Sequence, residues 1–391
     1  MASDRFEHVD AMVAALQPSY PVFCLRPEVL ADAARDFLDG FPGRVLYAVK
    51  CNPHPRVLQM LYDAGIRHFD TASLPEIAQV RELFRDAGAY FMHPVKARAV
   101  IRSAYEVYGV RHFIVDHPSE LAKLRDETGG EGMTVLVRLA TPHAGAVYDL
   151  STKFGANPAL AVDLLREAKR EGYQTGLAFH VGSQCLTPRA YRTALELVGD
   201  VIEAAKVDIH FLDVGGGFPA AYEGVNTPGL DEYMAEIHAG VEALSLRRDC
   251  VLMCEPGRAM VVSGCSLIVQ VQLRKGEQIY INDGIYGSLS ELVTARIRLP
   301  VRHIRLDGPV SDKLLDFTVN GPTCDSIDVL PTPFRLPEDI REGDWIEIGQ
   351  IGAYSSAVRT RFNGFYPDTF VEIAPAKARP RAAPAKKRAQ G

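Results

Sequence analysis

The stretch VLYAVKCN, residues 45–52, sets Lys50 at the carboxyl end of an apolar, strand-forming run. A lysine there is costly to hold as a charge, so the site depresses its pKa and leaves a neutral amine able to form a Schiff base. A lysine that snorkels to a rim is the alternative, and this stretch leaves both open. Further on, DVGGGFP (213–219) brings three successive glycines, Gly215, Gly216 and Gly217. Their N–H groups can converge on an anion with no Cβ in the way, although a flexible turn is the plain alternative. CEPGR (254–258) sets Glu255 near Arg258, as part of a ligand site or as a structural ion pair. FHVGSQC (179–185) carries His180, a satisfied core histidine unless it faces a ligand. A Schiff-base lysine, an anion-holding glycine loop, a carboxylate and a flat imidazole are together what pyridoxal phosphate needs. The lysine carries the aldehyde carbon, the N–H groups hold the phosphate, the carboxylate keeps the pyridine nitrogen protonated, and a planar group stacks on the ring.

These residues must be brought together by their elements. Apolar runs near 45–50, 68–73, 90–95, 112–116, 134–140, 176–182, 209–215 and 251–256 alternate with helical patterns such as 28–38, 56–64, 75–85, 161–171 and 191–205. Eight such units over about 220 residues are the size and order of a (β/α)8 barrel. A doubly wound sheet fits less well, and no GxGxxG follows a first strand. Barrel chemistry gathers at the carboxyl ends of the strands, which here carry Lys50, Asp70, His93, His180, Gly215–Gly217 and Glu255. The loops after strands seven and eight are where barrels bind phosphate, which favours the anion reading of the glycines.

After about residue 263 the pattern changes to short strands at 265–273, 278–282, 314–319 and 345–348. The expected organisation is an α/β protein: a barrel over 27–263 and an all-β domain built from 1–26 and 264–375. A short helix at 8–17 and a strand at 21–25 precede the barrel, and that strand could join the second sheet. Residues 376–391, AKARPRAAPAKKRAQG, hold six Lys/Arg and no acid and read as a disordered basic tail. The chain's net charge of −6 therefore leaves its body near −12, poor for nucleic acid and tolerable for a cationic substrate. Seven cysteines without a CxxC pair argue against a disulfide framework or a structural zinc, and no metal is expected. With no apolar run of about 18 residues and no secretory signal, a cytoplasmic protein off the membrane is expected.

Eight motifs in order from about residue 20 to 373 carry a resemblance: YAVKCN, FDTASLPEI, FHVGSQC, DVGGGFP, CEPGR, NDGIYGSL, GPTCDSID and GAYSSAVRTRFNGF. The set resembles the barrel-fold, pyridoxal-phosphate-dependent decarboxylases of basic amino acids, most of all the ornithine decarboxylases. The resemblance implies that Lys50 carries the cofactor, Glu255 meets the pyridine nitrogen and His180 stacks on the ring. It implies that Ser183, Gly215, Gly216, Gly217, Arg258 and Tyr354 hold the phosphate, with Asp70 and Glu76 supporting the pocket. It also implies a homodimer with composite sites, in which Cys324 and Asp325 serve the partner's site. Cys324 would return a proton to the α-carbon, and Asp325 would pair with the substrate's distal amine. The implied reaction is L-ornithine to putrescine and CO2.

In one place the chain departs from the pattern. Ornithine decarboxylases often carry a second acid in a Tyr-Asp pair after NDGxYGS; here SLSELVTAR (288–296) sets Ala295 at that position, with Glu291 nearby. A lysine or mixed lysine/ornithine preference therefore stays open. Racemases of this fold need a base on each face, which GPTCDSID does not suggest. Diaminopimelate and carboxynorspermidine decarboxylases take substrates ending in a carboxylate, which Asp325 would repel. A non-catalytic regulator typically loses the lysine or the phosphate residues, all present here.

Overall fold

The eight apolar runs form parallel strands because each is buried on both faces, by the barrel interior and by the helices outside. In the computed structural model, which describes residues 5–130, 132–141, 146–148, 153–295 and 297–375, they are Arg44–Ala48, His68–Thr71, Gly88–Phe91, His112–Val115, Thr134–Arg138, Gln174–Ala178, Phe211–Asp213 and Val251–Cys254. They pair in chain order and close when Val251–Cys254 meets Arg44–Ala48, with Cys254 opposite Val45. Alternation along the first strand is clear: Val45 and Tyr47 pack outward against the helices, and Leu46 points into the barrel. Leu46 meets Tyr90, Ile114, Leu136, Phe211 and Met253 there, so the barrel is filled by side chains. The basic stretch 376–391 lies outside the described residues.

The helices follow the expected spacing with shifted ends. The first outer helix is Pro27–Gly40 with Leu30, Ala34 and Phe37 on its buried face, so Gly40 is its last residue. Leu74–Leu83 begins where Ser73 accepts from the N–H of Glu76 and the Glu76 carboxylate accepts from Ala72 N–H at 2.6 Å, reciprocal capping of the helix start. Strand ends are shorter than the sequence suggests. The first barrel strand stops at Ala48 and Val49–Cys51 forms a 3-10 turn, because Ala48 N–H bonds Pro256 O and Cys51 O accepts from Tyr354 N–H. Likewise the sixth and eighth strands stop at Ala178 and Cys254, and the seventh at Asp213.

The second body is one nine-stranded sheet. Its long strand Cys265–Lys275 pairs antiparallel with Val22–Leu25, which in turn pairs parallel with Thr369–Ile373. The strand ahead of the barrel thus joins the sheet made after it. Arg5–Phe6, Val301–Ile304, Phe334–Pro337 and Thr369–Ile373 extend the sheet beyond the strands expected from the sequence. No helix of the described residues is long and apolar enough to cross a membrane. All seven cysteines are free thiols.

Candidate active site

Lys50 stands on the turn just past the first barrel strand, and its Nζ donates to Asp70 Oδ2 at 2.7 Å. Ala48 and Asp70 are in register on neighbouring strands, so the pairing follows from the barrel itself. Burial pulls the Lys50 ammonium toward giving up its proton, but Asp70 and then Glu255 outweigh it and hold the group above the ordinary lysine value. The expectation of a depressed lysine is corrected by this ion pair: two strand-end carboxylates, Asp70 and Glu255, outweigh the burial on which that expectation rested.

Glu255 follows the eighth strand, and its N–H donates to Gly215 O at 2.8 Å. Its carboxyl is held well above the usual range by burial, then by Asp213 and Asp70. Asp213 is fully buried; one oxygen accepts from Gly215 N–H at 2.8 Å, and the side chain also meets the Glu255 carboxyl. Burial raises it to about 7. Three carboxylates beside one lysine cannot all be charged, so the Asp213–Glu255 pair retains protons. Asp213 and Arg138 stand at this cluster without having been singled out in the sequence. Arg138 ends the fifth strand and acts on both Glu255 and His180.

His180 lies against the glycine loop: a Cβ on Gly216 would come within 3.2 Å of its Nε2. Gly182 N–H donates to Nδ1 at 2.9 Å, which places the ring proton on Nε2. Burial, then Arg138 and Lys50, hold the imidazole well below its ordinary pKa, so it is a neutral, flat ring. Gly215 has φ +69° and a Cβ there would lie 2.1 Å from Phe179 O, so no side chain fits. Its N–H is committed to Asp213, while the N–H groups of Gly216 and Gly217 find no acceptor among the described residues.

A cavity of about 480 Å³ opens over Lys50, lined also by Ser183, Arg258, Glu291 and Tyr354. Tyr354 adopts φ +50°, unusual for a bulky residue, with its N–H held by Cys51 O at 2.9 Å. Arg258 is buried; its Nη1 donates to Tyr222 Oη at 2.8 Å and to Glu291 Oε2 at 2.9 Å, and its Nη2 to Glu291 Oε1. Arg258 Nε is buried without a partner. A buried orphan donor, two free glycine N–H groups and a hydroxyl of Ser183 fit a phosphate, and Lys50, Glu255 and His180 fit the ring of pyridoxal phosphate.

The other sequence candidates are spread more widely. Glu76 caps its helix next to the second strand. His93 is turned to Val95 and Phe154 and does not line this cavity. Ala295 faces a neighbouring cavity with Gln184 and Tyr222. Cys324 is exposed, its N–H donating to Asn363 Oδ1 at 3.0 Å; Asp325 accepts from the Tyr286 hydroxyl at 2.5 Å, which holds it below the usual carboxylate range. Neither lines the Lys50 cavity of its own chain.

Known proteins resemble the chain over most of its length. Residues 28–262 match the family model described as pyridoxal-dependent decarboxylase, pyridoxal binding domain. The lysine/ornithine decarboxylase of Selenomonas ruminantium is 37% identical over 332 residues, covering 82% of this chain and 81% of that one. Antizyme inhibitor 2 of Xenopus laevis is 32% identical over 366 residues, covering 84% and 75%. Among solved structures, the lysine/ornithine decarboxylase of Vibrio vulnificus complexed with cadaverine superposes with TM-score 0.80 at 30% identity, covering 95% of this chain and 100% of that one. The chain is a member of the pyridoxal-phosphate-dependent decarboxylases that act on basic amino acids.

Proposed function

We propose that the chain converts L-ornithine to putrescine and CO2 and takes L-lysine alongside, as a homodimer with composite sites. The observation that carries the reading is the meeting of Lys50, Asp70, Glu255 and His180 beneath a cavity that ends on Arg258. Pyridoxal phosphate, when bound, supplies an aldehyde for amines and a ring that withdraws electrons from the α-carbon. Lys50 would carry that group, its Nζ anchored by Asp70 Oδ2 at 2.7 Å. In this reading Glu255 meets the ring nitrogen, and neutral His180, beside the glycine loop, adds no competing charge. Ser183, Gly216, Gly217, Arg258 and Tyr354 hold the phosphate, and Gly215 closes the loop behind them. The partner's Cys324 returns a proton to the α-carbon after CO2 leaves, and the partner's Asp325 meets the distal ammonium.

The mixed preference rests on charge. With Ala295 in place of an acid, and Glu291 engaged on Arg258, Asp325 is the one carboxylate left for the distal ammonium in this reading. A single anchor tolerates ornithine and the longer lysine better than two would. The names of the relatives in Selenomonas and Vibrio point the same way. A second reading, a regulator without turnover, draws on the likeness to antizyme inhibitor 2. Against it stands the retained set of Lys50, His180, Glu255 and Arg258.

Composite sites have a direct test. Lys50→Ala and Asp325→Ala variants, each inactive alone, are unfolded, mixed in equal amounts and refolded together. Random pairing places one complete site in half of the dimers, so about one quarter of the activity returns. Recovery of no activity, with dimers formed, would mean that Asp325 serves its own chain or none.

A further inference from the structure

Arg258 has five N–H donors, and the structure shows how they are divided. Glu291 takes the far edge of the guanidinium, receiving from both Nη1 and Nη2, and Tyr222 takes the other proton of Nη1. What remains is the side edge, the Nε proton and the second Nη2 proton, with Nε buried and unpartnered. That edge presents two parallel donors, the geometry that suits a phosphate. Glu291 and Arg258 also line the same cavity, and both side chains are largely buried, at 13% and 4% exposure. An anion on the free edge is therefore held by a guanidinium whose charge is already offset by Glu291 on its far edge.

We propose that Glu291 is a built-in counter-anion on Arg258, sharing the guanidinium with the cofactor phosphate and loosening the hold of the site on it. The proposal rests on the reading that Arg258 holds that phosphate. Glu291 does not need to leave for the phosphate to bind; it sets how tightly the phosphate stays. Its place at the start of the short helix Glu291–Ala295 ties the same residue to the segment that ends at Ala295.

The test is cofactor binding to the ligand-free full chain, followed by absorbance and by quenching of protein fluorescence. Glu291→Gln keeps an oxygen to steady Arg258 and removes the charge. It is expected to lower the Kd for pyridoxal phosphate about 10-fold and to tighten inorganic phosphate in parallel, with pyridoxal, which lacks the phosphate, unchanged within about twofold. A variant that is merely misshapen cannot bind more tightly, so the gain separates a charge effect from a structural one. Unchanged or weaker binding of pyridoxal phosphate by Glu291→Gln overturns the proposal. If Arg258→Ala leaves phosphate discrimination intact, the reading of Arg258 itself falls, independently of Glu291.

Discussion

Replacing Lys50 with alanine is expected to lower turnover at least ~10³-fold and to abolish the visible absorbance of a lysine-linked cofactor. No other lysine lines the cavity among the described residues. Lys96, a buried lysine near the strand ends, has its Nζ fixed by the carbonyls of His93, Pro94 and Ile114. The loss should therefore be of chemistry rather than of fold: Lys50 side-chain exposure is 43%, and the core beneath it is made by Val49 and Cys51. Removing the ammonium does leave Asp70 buried without its partner, so some loss of stability accompanies the loss of turnover. Spectra and initial rates on purified variant check both parts. Turnover within tenfold of the unaltered chain contradicts the role given to Lys50.

Glu255→Gln is expected to cost on the order of 10²-fold or more in turnover while cofactor still binds, because a neutral amide cannot keep a ring nitrogen protonated. A second readout is independent of turnover. Burial and neighbouring carboxylates raise Glu255, and burial raises Asp213 from 3.8 to about 7. An acid whose folded-state pKa is raised holds a proton that the unfolded chain releases. Its favourable contribution is complete at low pH and is lost as pH rises through that window. This pair's own contribution to the stability of the ligand-free chain should thus fall between about pH 4 and pH 7, opposed by histidines that burial holds below their ordinary pKa, such as His68, His112 and His180, and Glu255→Gln should remove part of that fall. Denaturant melts across this range measure it. An unchanged pH dependence would mean that Glu255 holds no raised proton in the folded chain.

Much of this was legible in the sequence because barrels obey a strict rhythm. The strand-helix alternation set eight strands in order, and rules of chemistry at strand ends brought Lys50, Asp70, His180 and Glu255 to one mouth. The β sheet was less legible. Strands such as VRHI at 301–304 and FRLP at 334–337 are only four residues long and carry an arginine in second place, so they read as loops. Two things in the site depended on contacts between distant segments. Arg138 reads as a rim residue until the third dimension sets it beside Glu255 and His180. The partnership of Arg258 with Glu291 spans 33 residues and two elements, and no spacing announces it. The charge of the lysine was read from desolvation in its apolar run alone, without weighing Asp70 and Glu255 at the neighbouring strand ends against it.

The most direct measurement is of products. The purified chain, supplied with pyridoxal phosphate and an equimolar mixture of ornithine, lysine and arginine, is assayed by mass spectrometry. The account predicts putrescine as the main diamine and cadaverine as the second, each matched by CO2. Absence of any diamine, with cofactor bound to Lys50, contradicts it.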